Sequence, residues 1–325
     1  MRRALVTGGL GFIGSYTVAR LLADGWSVDV VDDCSSNAVN VSHPSVCGAY
    51  TVMDSLQYVA GDLPNDYDVV FHLASPVGPV GVLKWCGMMA RQIIEDTYAA
   101  VDVAQESNAR LVYVSTSEVY GHRDGVTYLR EDGDKVLRGD FTVRNEYAVA
   151  KLLGEITVTN LGRRDASFEY QIVRPFNVTG ALQMPDNGFV LPRFTRQALG
   201  DEPVTVYFDG SQRRAFTHVD DIVDGLMRVA EAPSELQRRE WNIGNRANEI
   251  SIGELARKVI DTAESDSQIV HVDPRELHGD WFSESPEKIP DATAIESLLG
   301  WSPRWGVDAI VADVLTHERH VAGLD

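Results

Sequence analysis

A chain of 325 residues, 44% of them hydrophobic, can bury a full core and is long enough for one large or two modest units. Its formal net charge of −19 argues against a nucleic acid or an anionic membrane as partner, because either demands a basic face. Cys34, Cys47 and Cys86 are an odd number without metal-ligand spacing, so no metal is expected and a reducing cytoplasm is the expected compartment. The apolar run after Met1-Arg2-Arg3 is broken at once by Gly8, Gly9 and Gly11, unlike a signal peptide, and no later window approaches the ~20 apolar residues of a spanning helix.

The first organised unit is Ala4-Leu5-Val6-Thr7, a short apolar strand that runs into Gly8-Gly9-Leu10-Gly11-Phe12-Ile13-Gly14 and then a helical pattern through Leu22. Glycines at 8, 11 and 14 fit a strand-turn-helix that takes a dinucleotide: one for the tight turn, one for close approach of a pyrophosphate, one for packing helix on strand. Phe12 and Ile13 open the helix whose N-terminus faces the phosphates. The next strand, Val28 to Val31, ends in Asp32 and Asp33, placed to accept hydrogen bonds from an adenosine ribose and to repel a 2′-phosphate. The expected cofactor is therefore NAD rather than NADP.

Gly61-Asp62-Leu63 precedes a further buried strand, Tyr67 to Ala74, that ends at Ser75-Pro76. Asp62 and Leu63 are candidates for the adenine, and Leu73, Ala74 and Ser75 for the length of the cofactor, while His72 reads as a satisfied core histidine. Lys84 to Ser107 reads as one helix with an apolar face. Val114 closes another strand and delivers Ser115-Thr116-Ser117-Glu118-Val119-Tyr120-Gly121 to its carboxyl end, where ligands sit in an open α/β sheet. Tyr147 and Lys151 then stand one turn apart on a helix running through Ile156, and a close ammonium would lower the phenol's pKa from its usual value near ~10. Strands alternating with helices over residues 1–175 predict a doubly wound, parallel, Rossmann-type α/β sheet, with a return segment near 236–266. Residues 176–325 are expected to form mainly a smaller C-terminal α/β lobe that binds substrate. Within it Val204 to Tyr207 reads as a strand, and Ser251 to Asp261 as a helix with a Ser251-x-x-Glu254 capping box.

Six motifs in order make the chain resemble an extended short-chain dehydrogenase/reductase of the nucleotide-sugar epimerase/dehydratase family. They are the glycine turn, His72-Leu73-Ala74, Ser115 to Gly121, Tyr147-x-x-x-Lys151, Arg174-Pro175-Phe176-Asn177 and Arg214-Ala215-Phe216-Thr217-His218-Val219-Asp220-Asp221. Within that family the stretch His72 to Pro76, the Ser-Thr-Ser-Glu run and Gly210 to Phe216 are most similar to UDP-glucuronate decarboxylases. The resemblance implies NAD as a recycled cofactor, Thr116 on the sugar, Tyr147 as base at carbon 4, Lys151 on the nicotinamide ribose and tuning Tyr147, and Ser117 with Glu118 at the far side of the hexose. It implies a substrate that is a UDP-linked nucleotide sugar, touching Pro76, Asn177, Val190, Arg193, Thr205, Tyr207, Arg214 and Lys288, with Lys288 in the place of an arginine against the pyrophosphate. Arg214 suits a phosphate or a sugar carboxylate through its planar fork.

If carbon 5 bears a carboxylate, oxidation at carbon 4 makes a β-keto acid that loses carbon dioxide readily. Glu118 weighs against simple 4-epimerisation and leaves decarboxylation and dehydration open, so an NDP-hexose dehydratase or a 4-epimerase, UDP-glucuronate 4-epimerase included, are the alternatives. A non-catalytic NAD-binding protein is the remote one. Two departures border the substrate: Val178-Thr179-Gly180-Ala181-Leu182 lacks the usual Pro-Arg pair, and Val80 to Met89 is unlike the usual loop. Relatives commonly pair the helices near 84–107 and 145–159 into a four-helix bundle, so a homodimer is expected.

Overall fold

The structure, a computed structural model, describes residues 1–122, 128–137, 139, 141–280, 282–284 and 287–324. Its first half alternates strand and helix: β1 (Arg3–Thr7), α1 (Phe12–Ala23), β2 (Ser27–Val31), β3 (Tyr50–Val52), α2 (Leu56–Val59), β4 (Val69–His72), α3 (Gly81–Lys84), α4 (Met89–Glu106), β5 (Arg110–Val114), α5 (Val143–Arg164) and β6 (Tyr170–Pro175). The strands are largely apolar and contain no Gly, as expected for strands covered on both faces. Side chains alternate across the sheet: Ala4 and Val6 of β1 join one core cluster with Val18 and Leu21 of α1, and Leu5 joins the opposite cluster with Ala100, Val101 and Val103 of α4.

The second half adds β7 (Val178–Thr179), α6 (Val190–Leu199), β8 (Val204–Tyr207), β9 (Arg213–Ala215), β10 (Thr217–His218), α7 (Val219–Ala230), β11 (Arg239–Ile243), β12 (Glu249–Ser251), α8 (Ile252–Ala263), β13 (Ile269–Val272), α9 (Pro274–His278), α10 (Thr293–Leu299) and α11 (Val307–Ala322). The main sheet has seven strands in the order β11-β6-β5-β4-β1-β2-β3. Every pairing in it is parallel. The order reverses between β1 and β4, which opens a crevice at their carboxyl ends.

Near 236–266 the chain contributes β11, which pairs with β6, whereas Leu255, Ala256 and Val259 of α8 pack with Phe194 of α6 and with Ile310 and Val314 of α11. Ile222 and Leu226 of α7, together with Ile295 and Trp301, lie in the core beside the sheet. The capping box on α8 is present, with Ser251 and Glu254 exchanging hydrogen bonds.

One expected element is divided. The helix read from Lys84 to Ser107 is α3 and then α4, because the chain turns at Gly87, which holds φ of +80°. Glu146 of α5 caps the second start, its carboxylate accepting from the amides of Gly87 at 2.7 Å and Ala90 at 3.2 Å. Helix α5 begins with a reciprocal cap between Thr142 and Asn145 and continues two turns past Ile156.

Candidate active site

One cleft runs along the carboxyl ends of β1, β2, β4, β5 and β6 and continues beneath the second half of the chain. At one end Gly8, with φ of +69°, turns β1 into α1, and a Cβ there would come within 2.9 Å of the Ala74 backbone. A Cβ on Gly14 would stand 2.0 Å from the Gly8 carbonyl oxygen, so helix and turn touch backbone to backbone. Gly11, Phe12 and Ile13 line the same wall. This cradle of bare backbone at a helix N-terminus fits the pyrophosphate of a dinucleotide.

At the end of β2 the Asp32 carboxylate accepts from the Leu10 amide and from the Cys34 amide, each at 2.9 Å. Burial raises its pKa, and these two hydrogen bonds oppose the rise. Asp33 lies beside it on the cleft, as do Leu73, Ala74 and Ser75 after β4. The Thr7 hydroxyl fixes that strand end, accepting from the amides of Leu73 at 3.2 Å and Ala74 at 3.1 Å. His72 is buried with Nδ1 at 2.9 Å from the same hydroxyl, the satisfied core histidine its pattern suggests.

Asp62 and Leu63 are corrections. Both lie beyond α2 and away from the cleft, whose wall there is formed by Asp54, Ser55 and Leu56. The reason is β3: this strand is only three residues long and its first residue is exposed, so no hydrophobic run announced it, yet its carboxyl end is what delivers Asp54. Asp96 and Gln92 of α4 also line the cleft unannounced, and burial pushes the Asp96 carboxyl up to about 6.

In the middle of the cleft Thr116 caps the short turn Ser117–Tyr120, its hydroxyl accepting from the Glu118 amide at 3.2 Å. The Tyr147 phenol faces the hydroxyls of Thr116 and Ser75, both of which favour its anion. Burial, with the negative charge of Glu118, pushes it up to about 12, against those two hydroxyls and the positive charge of Arg144. The expected lowering by Lys151 is therefore not the dominant effect. Lys151 is only 1% exposed, its ammonium donates to the Val114 carbonyl at 3.0 Å, and burial brings it down to about 8.

Beyond Thr116 the cleft turns polar. Glu118 accepts from Arg144 at 2.8 Å and contacts the Lys288 ammonium directly. Arg214 donates through Nη2 to Glu284 at 2.8 Å and through Nη1 to the Arg213 carbonyl at 2.8 Å. Lys288 stands with this cluster on Glu118 rather than apart from it, where a pyrophosphate contact was expected. Ser117 is buried beside Glu118, and Pro76, Asn177 and Val190 line the wall.

At the far end the Arg193 guanidinium lies over the Tyr207 ring at 4.3 Å, and Tyr207 meets Phe282 edge to face at 5.7 Å. Arg193 Nε is buried without a hydrogen-bond partner, a donor suited to an anionic or carbonyl oxygen. Thr205 is a correction: its side chain turns to Gln197 and Arg193 rather than to the cleft. Thr205 and Tyr207 share one face of β8, but Thr205 lies one pleat earlier, where the Arg193 guanidinium bonds its carbonyl and hydroxyl oxygens. Arg144 and Glu284 were missed. Arg144 had a signal, since it precedes Tyr147 by three positions and shares its helix face; Glu284 had none, because its partner is 70 residues away in sequence.

Among the described residues no cluster of His, Cys, Asp and Glu could hold a metal, and no helix is long and apolar enough to cross a membrane.

The model of the NAD dependent epimerase/dehydratase family matches residues 4–244. Among known proteins, the chain is 32% identical over 309 residues to a UDP-N-acetyl-alpha-D-glucosaminuronate decarboxylase of Bacillus cytotoxicus, covering 93% of each. It is 33% identical over 324 residues to UDP-glucuronic acid decarboxylase 4 of Arabidopsis thaliana, covering 96% of this chain and 68% of that one. Among solved structures, MoeE5 in complex with UDP-glucuronic acid and NAD superposes with a TM-score of 0.82 at 27% identity, over 98% of this chain and 99% of that one. A UDP-glucose 4-epimerase of Thermotoga maritima shares the fold with a TM-score of 0.86 at 24% identity, over 98% and 99% of the two chains. With the glycine cradle, the cleft-lining Asp32 and the Tyr147–Lys151 helix already in place, the chain belongs to the NAD dependent epimerase/dehydratase family and is an NAD-dependent enzyme of nucleotide-sugar metabolism.

Proposed function

We propose that the enzyme decarboxylates a UDP-linked uronic acid, UDP-glucuronate first among them, to a UDP-pentose through a 4-keto intermediate. The observation that carries this reading is the charge around the sugar: among the described residues lining this part of the cleft, three cations, Arg144, Arg214 and Lys288, face two carboxylates, Glu118 and Glu284. Arg214 and Lys288 are 7% and 4% exposed, so an anion that enters this pocket meets cations held largely out of water, where charge pairing is strong. A uronate carboxylate is such an anion, whereas a neutral hexose is not. The two decarboxylase relatives act on uronates by name, which supports the same reading.

In this mechanism Asp32 takes the adenosine ribose, the turn from Gly8 to Gly14 the pyrophosphate, Asp54 and Leu56 the adenine side, and Leu73 to Ser75 with Lys151 the nicotinamide side. Arg193 and Tyr207 take the uridine diphosphate. Bound NAD supplies a hydride acceptor for carbon 4 and later returns the hydride. Tyr147 removes the proton of the 4-hydroxyl while Thr116 holds that oxygen. The carbon–carbon bond to the carboxylate then breaks, its electrons pass to the 4-ketone as an enolate, and the Glu118–Lys288 pair handles the proton that carbon 5 gains.

Incubation with UDP-glucuronate and with UDP-N-acetylglucosaminuronate, followed by mass spectrometry, tests it. The expected product is lighter by carbon dioxide, about 44 mass units, the carboxyl being replaced by a hydrogen. Loss of water from a neutral UDP-hexose, or inversion of UDP-glucuronate without loss of mass, would replace decarboxylation with dehydration or epimerisation.

We also propose a homodimer formed by α4 and α5. Tyr98, Val149, Leu153 and Ile156 are exposed on these neighbouring helices. A cytoplasmic setting is supported by the free thiols of Cys34, Cys47 and Cys86.

A further inference from the structure

The dipeptide Ser283-Glu284 sits on both arginines that face the sugar. The Ser283 carbonyl accepts from Arg144 Nε at 3.2 Å and Nη2 at 3.1 Å, and the Glu284 carboxylate accepts from Arg214 Nη2 at 2.8 Å. Nη2 is the nitrogen common to both two-pronged edges of a guanidinium, so a carboxylate that grips Arg214 with two hydrogen bonds must use it. The segment is held in register there, since Lys288 forms a parallel bridge with Arg214. Glu284 itself lines the cleft.

We propose that Glu284 is an internal stand-in for the sugar carboxylate, so that binding of a uronate exchanges one carboxylate on Arg214 for another. The inference rests on the uronate reading above and adds a specificity residue to it. Two carboxylates on one edge of one guanidinium repel each other, and the incoming acid therefore has to displace Glu284 from Nη2. A neutral sugar brings nothing to displace it with, and it meets a pocket whose cation is already satisfied. Glu284 thus keeps Arg214 aimed, and it lowers the apparent affinity for the acid by the fraction of molecules in which it holds the guanidinium. The same competition limits ground-state binding of a carboxylate that must later leave as carbon dioxide, which favours turnover over tight binding.

The experiment is titration calorimetry of UDP-glucuronate and UDP-glucose on the NAD-loaded full chain, in a Tyr147→Phe background that blocks turnover. Glu284→Gln, Glu284→Ala and, as control, Glu287→Gln are compared, each with its thermal melting curve. Removing the competing charge is expected to tighten UDP-glucuronate about tenfold and leave UDP-glucose within about twofold, with Glu287→Gln changing neither. A merely structural Glu284 would weaken both ligands together, and that result overturns the proposal. Unchanged or weaker UDP-glucuronate binding in both Glu284 variants, in a parent that prefers UDP-glucuronate to UDP-glucose, overturns the exchange alone. A parent that binds UDP-glucuronate no better than UDP-glucose overturns the uronate reading and the exchange with it.

Discussion

In the proposed mechanism Tyr147 carries the main proton transfer, and burial works against it. A phenol pushed up to about 12 is protonated at neutral pH, so its anion must be stabilised at the moment of reaction by the hydroxyls of Thr116 and Ser75 and the charge of Arg144. Tyr147→Phe keeps the ring and removes the oxygen, and we expect turnover to fall by at least ~10²-fold with nucleotide-sugar binding retained, measured by product formation and calorimetry. Lys288 and Lys151 set the opposite limit. Burial, the largest influence on each, brings both ammonium groups down to about 8. A lysine with a lowered pKa is charged below that value and neutral above it, so kcat/KM for the acid should fall about tenfold or more per pH unit above pH 8. A bound carboxylate favours the ammonium of Lys288, and the kcat profile should therefore break at higher pH than the kcat/KM profile. At the other end of the cleft, Asp32 with its two backbone donors is the residue proposed to face the adenosine ribose. NADP should bind at least about 100-fold more weakly than NAD, because like charges brought together cost several kcal/mol; comparable affinities by fluorescence titration would remove Asp32 from the ribose.

At the scale of elements, the catalytic turn after β5 is braced from below by a buried ion pair between β6 and α5. Arg174 donates to Glu155 through Nε at 2.9 Å and Nη2 at 2.6 Å, and Ser115 donates to the same carboxylate at 2.5 Å. Removing one partner leaves the other charge buried and unpaired, so Arg174→Ala should cost about 3–5 kcal/mol of stability in urea unfolding. Glu155 lies one turn beyond Lys151, which makes the Tyr147–Lys151–Glu155 face a single rail from chemistry to core. The strands that carry this arrangement were legible because parallel strands covered on both sides read as unbroken apolar runs, and the cofactor turn because only glycines allow its backbone contacts. What stayed hidden has physical reasons too. β3 is a short, half-exposed edge strand, so the sequence pattern places the acid at its end eight residues too late, at Asp62 instead of Asp54. The ties of Arg144, Arg214 and Lys288 to Ser283, Glu284 and Glu118 join segments remote in sequence, and no local period records such pairs.

The whole molecule is strongly acidic yet concentrates cations around one end of its cleft, so substrate is held by short-range contacts against an unfavourable long-range field. The same net charge of −19 acts on assembly, because two copies repel at distances beyond their contact. Val149, Leu153 and Ile156 of α5 follow helical spacing, and all three are exposed although each is apolar. Tyr98 on α4, the helix packed beside α5, is also exposed, and apolar side chains gathered on two neighbouring helices favour burial against a partner. A second copy offers the matching surface, since a two-fold axis brings one patch onto itself. The balance between this burial and the repulsion is salt-dependent: screening shortens to ~8 Å at physiological ionic strength, so the dimer should tighten as salt rises from low values. Replacing Leu153 and Ile156 together by glutamate places four carboxylates across the proposed axis without touching Tyr147 or Lys151 on the inner face. Light scattering should then report a monomer that retains bound NAD, whereas the unaltered chain should report a dimer at micromolar concentration. A monomer before substitution, at physiological salt, would show that these helices face solvent alone.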